Sequence, residues 1–189
     1  MTVLTDAYVL KKSLRGDFDR QFTLYTRELG KISCLAKGAA KITSKLSSHL
    51  DFFYLIEVMV APGQAFYRLA GAKIRTAYLK NNSDLSLTAI ANIFLEAIDI
   101  MLVEKYPDAA IFSLVDNFFN QLDRVEDLQS SQLLLNQTLY ELMSRLGYQP
   151  KITARSQSQL TGELCRHIME TGEKELKFFP FLNQQFNCF

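Results

Sequence analysis

The stretch from Phe22 to Leu46 constrains the fold of this chain most, because it reads as two short strands joined by a tight turn. Polar and apolar residues alternate on both sides of the turn, which is the pattern of half-buried strands. Gly30 can adopt a positive φ and stands where the chain has to reverse. The sequence therefore predicts a β-hairpin from strands at 19–27 and 31–37. One of its faces is apolar, and the other carries Tyr25, Arg27, Lys31 and Lys37.

A basic, partly aromatic sheet face suits the binding of a nucleic-acid strand, since lysine and arginine neutralise phosphates and aromatic rings stack on bases. The predicted nucleic-acid-binding residues are Lys11, Lys12, Arg15, Arg20, Tyr25, Arg27, Lys31, Lys37, Lys41 and Lys45. The same lysines could instead protect a strand edge from aggregation. Tyr25 could stack on a base or pack beneath a neighbouring loop.

The net charge of +1 hides a division between the two parts of the chain. Residues 1–80 hold 13 Lys and Arg against 6 Asp and Glu, a net of +7. Residues 81–189 hold 8 against 14, a net of −6. Such asymmetry indicates an acidic partner for the first part, either a nucleic acid or a membrane surface.

Strand patterns fill the first part of the chain, and helical patterns follow. Strands are predicted at 5–13, in the hairpin, at 50–60 and at 64–77, with Gly71 at a bulge. Five strands over about 75 residues with turn signals between them favour a small β-barrel. After residue 84, apolar residues recur at helical spacing in four segments, punctuated by Pro107, Gly147 and Gly172. The predicted domains are 1–80 for nucleic-acid binding and 81–189 for an all-α part.

No pattern in the sequence indicates an enzyme or a cofactor. The chain has two histidines in no catalytic spacing, and it lacks the glycine-rich loops that bind nucleotide phosphates. Three scattered cysteines suit a reducing cytoplasm and give no zinc spacing. No uninterrupted apolar run is long enough to span a membrane. We therefore expect a cytoplasmic binding protein without a metal or cofactor.

An ordered set of short segments resembles the RecO family of recombination mediators. The set comprises Val9-Leu10, Gly16-Asp17, Leu24 to Gly30, Ala36 to Ala39, Ser44 to Leu46, Ile93 to Glu96, Pro107-Asp108 and Leu146 to Pro150. It covers about Thr5 to Pro150, and no single segment is diagnostic alone. The resemblance implies an α+β protein, with an N-terminal five-stranded OB-fold β-barrel followed by an all-α helical domain.

The resemblance also implies a role and partners. RecO proteins bind single- and double-stranded DNA, anneal complementary strands, and help to load recombinase with RecR and with the acidic tail of the single-stranded-DNA-binding protein. Many members carry a four-cysteine zinc site after the Gly-Tyr-x-Pro element, whereas residues 151–160 here contain no cysteine. The part past Pro150 is also short for the family. A protein-interaction adaptor that acts through its helices and an RNA-binding barrel are the alternatives.

Overall fold

A computed structural model describes residues 2–39, 49–79 and 84–186 of the chain. Its first part is a closed barrel with the strand order β1-β2-β3-β5-β4. The strands are β1 (Val3–Arg15), β2 (Asp19–Thr26), β3 (Gly30–Ala36), β4 (Tyr54–Ala61) and β5 (Tyr67–Ala77). The predicted hairpin is confirmed as β2 and β3, which pair antiparallel from Arg20↔Ala36 to Thr26↔Gly30.

The long first strand closes the barrel because it pairs with two neighbours. Its first half runs antiparallel to β4, and its second half runs antiparallel to β2. A register shift between Val9 and Lys11 lets the strand bend from one partner to the other. The bulge expected near Gly71 is also present, since Met59 pairs with Gly71 while Val60 pairs with Leu69.

Alternate residues of the five strands fill the barrel interior. Burying such apolar side chains is the main favourable contribution to folding, at ~1.5–3 kcal/mol for each large one. The buried core consists of Ala7, Val9, Phe22, Leu24, Ile32, Cys34, Ala36, Ala39, Leu50, Ile56, Val58, Val60 and Leu69. Burial raises the pKa of the Cys34 thiol to about 12, so this cysteine is a small apolar core residue.

Within the described part of the chain, five helices follow the barrel, and the expected fold class, α+β with an OB-fold barrel and an all-α part, is confirmed. They are α1 (Leu85–Met101), α2 (Ala109–Leu122), α3 (Leu128–Arg145), α4 (Gln157–Gly172) and α5 (Phe179–Phe186). Asp84, Asp108 and Asp127 accept hydrogen bonds from N–H groups in the first turns of α1, α2 and α3, respectively. Gly147, at φ +85°, stands just beyond the end of α3, as the sequence predicts.

The chain forms two compact units, and it passes between them more than once. The first unit combines residues 1–78 with 102–112, and the second combines 79–101 with 113–189. Residues 102–112, which the sequence groups with the helices, therefore cluster with the barrel. We call this segment the strap. In the second unit, α1 packs against α3, α4 and α5, so the aromatic C-terminal segment folds back on the helices as far as it is described.

Backbone contacts hold the strap along β3. The Lys105 N–H donates to the Lys31 carbonyl over 2.8 Å, and Lys31 and Glu104 form a parallel β-bridge. A Cβ added to Gly30 would lie 2.5 Å from the Tyr106 carbonyl, so only glycine allows this approach. The strap thus covers the edge of β3 that β5 leaves unpaired.

None of the helices within the described residues combines the length and apolarity needed to cross a membrane.

Candidate nucleic-acid interface

Strand register defines which side chains share the outer surface of the barrel. Residues paired directly across a sheet point to the same side, and the core residues mark the inner side. Lys11 pairs with Thr23, and Thr23 pairs with Ser33. In the adjoining row, Gln21 pairs with Leu35, and Leu35 pairs with Arg68 on β5. We call this side of β1, β2, β3 and β5 the outer face.

Among the described residues, solvent-exposed cations on or beside the outer face include Lys11, Arg15, Lys37 and Arg68. We call them the cationic face. Arg15 pairs with Asp19 at the end of the β1–β2 hairpin. The Asp19 carboxylate accepts a hydrogen bond of 2.8 Å from the Gly38 N–H, which fixes the turn that follows β3. Lys37 adjoins Gly38 in this turn, so its backbone is held close to Asp19, the strand partner of Arg15.

Arg15 also joins the hairpin end to the loop before β5. Its Nη1 donates to Gln21 Oε1 over 3.1 Å, and its Cζ lies 4.4 Å from the centroid of the Phe66 ring. The guanidinium thus lies over an aromatic ring, beside other exposed cations. Aromatic rings and arginine planes are the groups on which the bases of single strands stack.

Two predicted site residues, Lys12 and Arg20, point to the other side of the sheet. Lys12 pairs with the core residue Phe22, and its ammonium forms an ion pair with Asp51 and lies 4.4 Å from the Phe52 ring centroid. Arg20 pairs with Ala36 of the core and is half-buried. The alternation of the strands therefore separates both cations from Lys11 and Arg15.

The strap covers Tyr25 and Lys31, and this corrects the expectation that both lie on an exposed surface. Tyr25 is fully buried, and its hydroxyl donates to the Asp108 carbonyl over 3.1 Å. Burial, reinforced by the nearby Asp108 carboxylate, raises the pKa of the Tyr25 phenol. Lys31 is only 8% exposed. Of the two alternatives for Tyr25, packing beneath a neighbouring segment is the one observed.

Arg27 lies at the margin of this covered region. Its Cζ is 4.4 Å from the centroid of the Phe112 ring, and its Nη2 is 3.6 Å from Asp6 Oδ2. The Phe112 ring lies 5.8 Å from both the Tyr8 and the Tyr25 rings. Arg27 therefore completes an aromatic cluster that attaches the strap to the barrel.

The remaining predicted cations, Lys41 and Lys45, lie outside the described residues. Among the residues that are described, no group of three His, Cys, Asp or Glu side chains could hold a metal ion. Residues 151–160 contain no cysteine, so this segment does not supply the thiolate ligands of a four-cysteine zinc site.

Sequence reasoning missed Arg68 and Phe66. Arg68 alternates with Tyr67 and Leu69, and this period-two pattern places it on the side of β5 opposite to them, whereas Phe66 lies in the loop just before the strand. Their position beside β3 depends on the parallel pairs Cys34↔Tyr67 and Leu35↔Arg68. A parallel contact between strands more than 30 residues apart leaves no local signal in the sequence.

Comparison with known families matches both parts of the chain. A family model described as "Recombination protein O N terminal" matches residues 1–78, and one described as "Recombination protein O C terminal" matches residues 82–176. Two similar proteins, both named "DNA repair protein RecO", come from Dehalococcoides mccartyi strains 195 and BAV1. The strain 195 protein is 30% identical over 148 residues, which cover 78% of this chain. The strain BAV1 protein is 30% identical over 170 residues, which cover 89% of this chain.

A third protein of the same name, from Caldanaerobacter subterraneus subsp. tengcongensis, is 28% identical over 200 residues that cover 94% of this chain and 78% of its own. The matches span 57% and 66% of the two Dehalococcoides proteins. The two family models together account for nearly the whole of residues 1–176. The chain therefore belongs to the recombination protein O (RecO) family.

Proposed function

We propose that this chain is a non-enzymatic mediator of DNA repair and homologous recombination that binds single- and double-stranded DNA and anneals complementary strands. It works with RecR and the single-stranded-DNA-binding protein to load recombinase. The observation that carries the DNA-binding role is the cationic face on an OB-fold barrel. OB-folds bind oligonucleotides on the face of strands 2 and 3 and with the loops beside it, which is where Lys37, Arg15 and Phe66 lie.

The chemistry of annealing suits this face. Two complementary strands repel each other through their phosphates, and exposed cations reduce that repulsion by neutralising phosphates, which releases condensed counterions. The bases have to stay accessible for pairing, which a shallow sheet surface permits. No covalent bond is made or broken in the DNA, so the process needs positioned charge and no nucleophile or general base.

The test is a salt titration of single-stranded DNA binding by wild type and by the double variant Lys37→Ala, Arg68→Ala. Each phosphate contact contributes about −0.7 to the slope of log K against log salt for single strands. If each residue makes one contact, the double variant should bind more weakly and its slope should flatten by ~1.4. Both side chains are exposed, so we expect stability to change by no more than about 0.5 kcal/mol per site.

The matched control removes two exposed cations from the helical unit, with Arg124→Ala and Lys174→Ala. It lowers the net charge equally and should leave the slope at its wild-type value. If the cationic-face variant kept the wild-type affinity and slope, DNA would bind elsewhere and the adaptor function would be favoured. Parallel titrations with double-stranded DNA and RNA would measure the preference among nucleic acids.

A groove in the helical unit supports the proposed contact with an acidic protein tail. It encloses about 390 Å³ and is lined by Leu133, Asn136, Gln137, Tyr140, Ile152, Gln157 and Leu160. Leu133, Tyr140 and Ile152 remain 41%, 48% and 38% exposed, which is unusual for large apolar side chains so close together. The groove therefore offers an apolar surface large enough for an aromatic side chain and the residues next to it in a bound peptide.

Positive charge lies beside this groove. Lys151 and Arg155 are exposed on the segment that contains Ile152, and α4 begins at Gln157 with its N-terminus at the groove. A helix N-terminus carries partial positive charge that attracts carboxylates. An acidic tail that ends in phenylalanine would place its ring in the groove and its carboxylates toward these cations. We propose this groove as the site for the tail of the single-stranded-DNA-binding protein.

A further inference from the structure

A small polar cavity opens in the barrel unit beside the cationic face. It encloses about 210 Å³ and lies between the loop before β5 and the strap. Its lining consists of Ser33, Pro62, Gly63, Gln64, Ala65, Phe66, Tyr67, Glu104 and Lys105. Small-molecule pockets usually measure about 300–1,000 Å³. This cavity therefore suits one ring-sized group and not a whole nucleotide cofactor.

Both walls of the cavity are fixed by close backbone contacts. In the loop wall, a Cβ on Gly63 would lie 2.2 Å from the Phe66 carbonyl oxygen, so the loop folds tightly on itself. In the strap wall, Glu104 and Lys105 are tied to Lys31 by the β-bridge and the 2.8 Å hydrogen bond. The cavity is thus preformed, and a ligand would not have to order it.

The polar groups of the cavity favour a hydrogen-bond donor. The Ser33 hydroxyl donates to Glu104 Oε1 over 3.2 Å and orients the carboxylate. A carboxylate has about four acceptor positions, so Glu104 can still accept hydrogen bonds from a ligand. Lys105, which also lines the cavity, places an exposed cation beside it for a phosphate.

The cavity adjoins the outer face, and this position indicates which kind of ligand it could bind. Ser33 belongs to the row of paired residues that contains Thr23 and Lys11. The Arg15 guanidinium lies over the Phe66 ring, which lines the cavity. A single strand that crosses the cationic face would pass the mouth of the cavity. Cytosine presents an N4 amino donor, which carboxylates accept, whereas thymine presents the O4 acceptor at the same position.

We propose that this cavity receives one unstacked base of a bound single strand and selects an amino-bearing base, cytosine above thymine, through Glu104. This inference rests on the proposed DNA-binding function. Glu104 is the specificity-determining residue, Ser33 is a positioning residue that orients its carboxylate, and Lys105 binds the phosphate of the inserted nucleotide.

The experiment compares the affinities of oligo(dC) and oligo(dT) of equal length for the full chain. Wild type should prefer oligo(dC) by about fivefold, the lower end of discrimination by a direct base contact, because the carboxylate is exposed to solvent. Glu104→Ala should bring the affinity ratio close to one. Asp17→Asn is the matched control, since it removes one exposed negative charge from the β1–β2 turn, away from the cavity lining. It should strengthen binding of both oligonucleotides and keep their ratio.

A second variant, Ala65→Leu, tests the cavity without changing charge. The larger side chain should fill the cavity and lower the affinity for oligo(dC) toward that for oligo(dT). The salt slope should flatten by no more than ~0.7, the share of the single Lys105 phosphate contact. An unchanged ratio in both Glu104→Ala and Ala65→Leu, or equal affinities in wild type, would overturn base selection while DNA binding stands. Failure of wild type to bind either oligonucleotide would overturn the proposed function along with this inference.

Discussion

Arg27 shows how one side chain can be basic, partly exposed and still structural. Its side chain is 42% exposed, but the guanidinium lies over the Phe112 ring and beside the Asp6 carboxylate. A cation over an aromatic ring contributes about 0.5–1 kcal/mol at exposed sites. An exposed ion pair at this distance adds ~1 kcal/mol at most. These contacts orient the guanidinium toward the strap.

We therefore expect Arg27→Ala to lower the free energy of unfolding by about 1 kcal/mol, which a urea denaturation curve would measure. The same variant should leave the salt slope of DNA binding unchanged, in contrast to Lys37→Ala. Arg27→Lys is the control, because it keeps the charge and loses the planar group that stacks on Phe112. If the salt slope of DNA binding flattened by ~0.7 in Arg27→Ala, Arg27 would instead contact a DNA phosphate.

Residue identity alone could not separate Arg27, Tyr25 and Lys31 from the cations of the outer face. All three stand on the predicted polar side of the hairpin, and Tyr25 pairs directly with Lys31 there. What buries Tyr25 is a segment about 80 residues further along the chain. Alternation predicts the side of a strand to which a residue points, but not whether a distant segment covers that side.

At the scale of elements, local signals explain most of what the sequence predicted. The hairpin is anticipated by Gly30, the start of α2 by Asp108, and the end of α3 by Gly147, since each signal depends on neighbouring residues. The predicted starts of β4 and β5 differ from the observed ones. The aromatic residues before Tyr54 and the residues before Tyr67 lie in turns and not in the expected strands. Turn-forming Pro62 and Gly63 did not reveal where β5 begins.

The groove between α3 and α4 gives a prediction at this scale. The Glu163 carboxylate of α4 accepts hydrogen bonds from the Thr153 N–H over 2.9 Å and from its hydroxyl over 2.5 Å. These bonds hold the segment that carries Ile152 against α4, and they lower the pKa of Glu163. The wall of the groove therefore depends on one exposed carboxylate.

Tyr140→Glu should abolish binding of an acidic, phenylalanine-ended peptide, because it adds a negative charge to the apolar lining. Glu163→Ala should weaken binding by about tenfold or less, because it releases the segment that carries Ile152. Fluorescence anisotropy of the labelled peptide measures both effects. Glu170→Ala is the control, since this exposed carboxylate of α4 lies outside the groove lining. Wild-type affinity in Tyr140→Glu would exclude this groove as the binding site.

At the scale of the whole molecule, the boundary between positive and negative net charge differs from the boundary between the two compact units. The change from net positive to net negative falls near residue 80. The compact units do not follow that line, because the strap returns to the barrel after α1. Its attachment uses the Tyr25 hydroxyl, the Phe112 ring and the close approach at Gly30. The compact unit that contains the closed barrel therefore includes a segment from beyond residue 100.

This connectivity predicts how a fragment of residues 1–78 would behave. Without the strap, Tyr8 and Tyr25 lose their cover and the edge of β3 loses its partner, so the fragment should expose apolar surface and an unpaired strand edge. Loss of a fully buried phenylalanine contact typically costs ~3–5 kcal/mol, a large share of the stability of a small domain. We expect the fragment to bind a hydrophobic dye and to melt well below the full chain.

A synthetic peptide of residues 102–112 supplied in excess should restore part of the stability, because a ligand that binds only the folded state raises its melting temperature. The same peptide with alanine in place of Phe112 is the control and should raise the melting temperature far less. DNA binding by the fragment should survive where it stays folded, since Lys11, Arg15, Lys37 and Arg68 all belong to residues 1–78. A fragment as stable as the full chain and indifferent to the peptide would show that the strap is dispensable for the barrel.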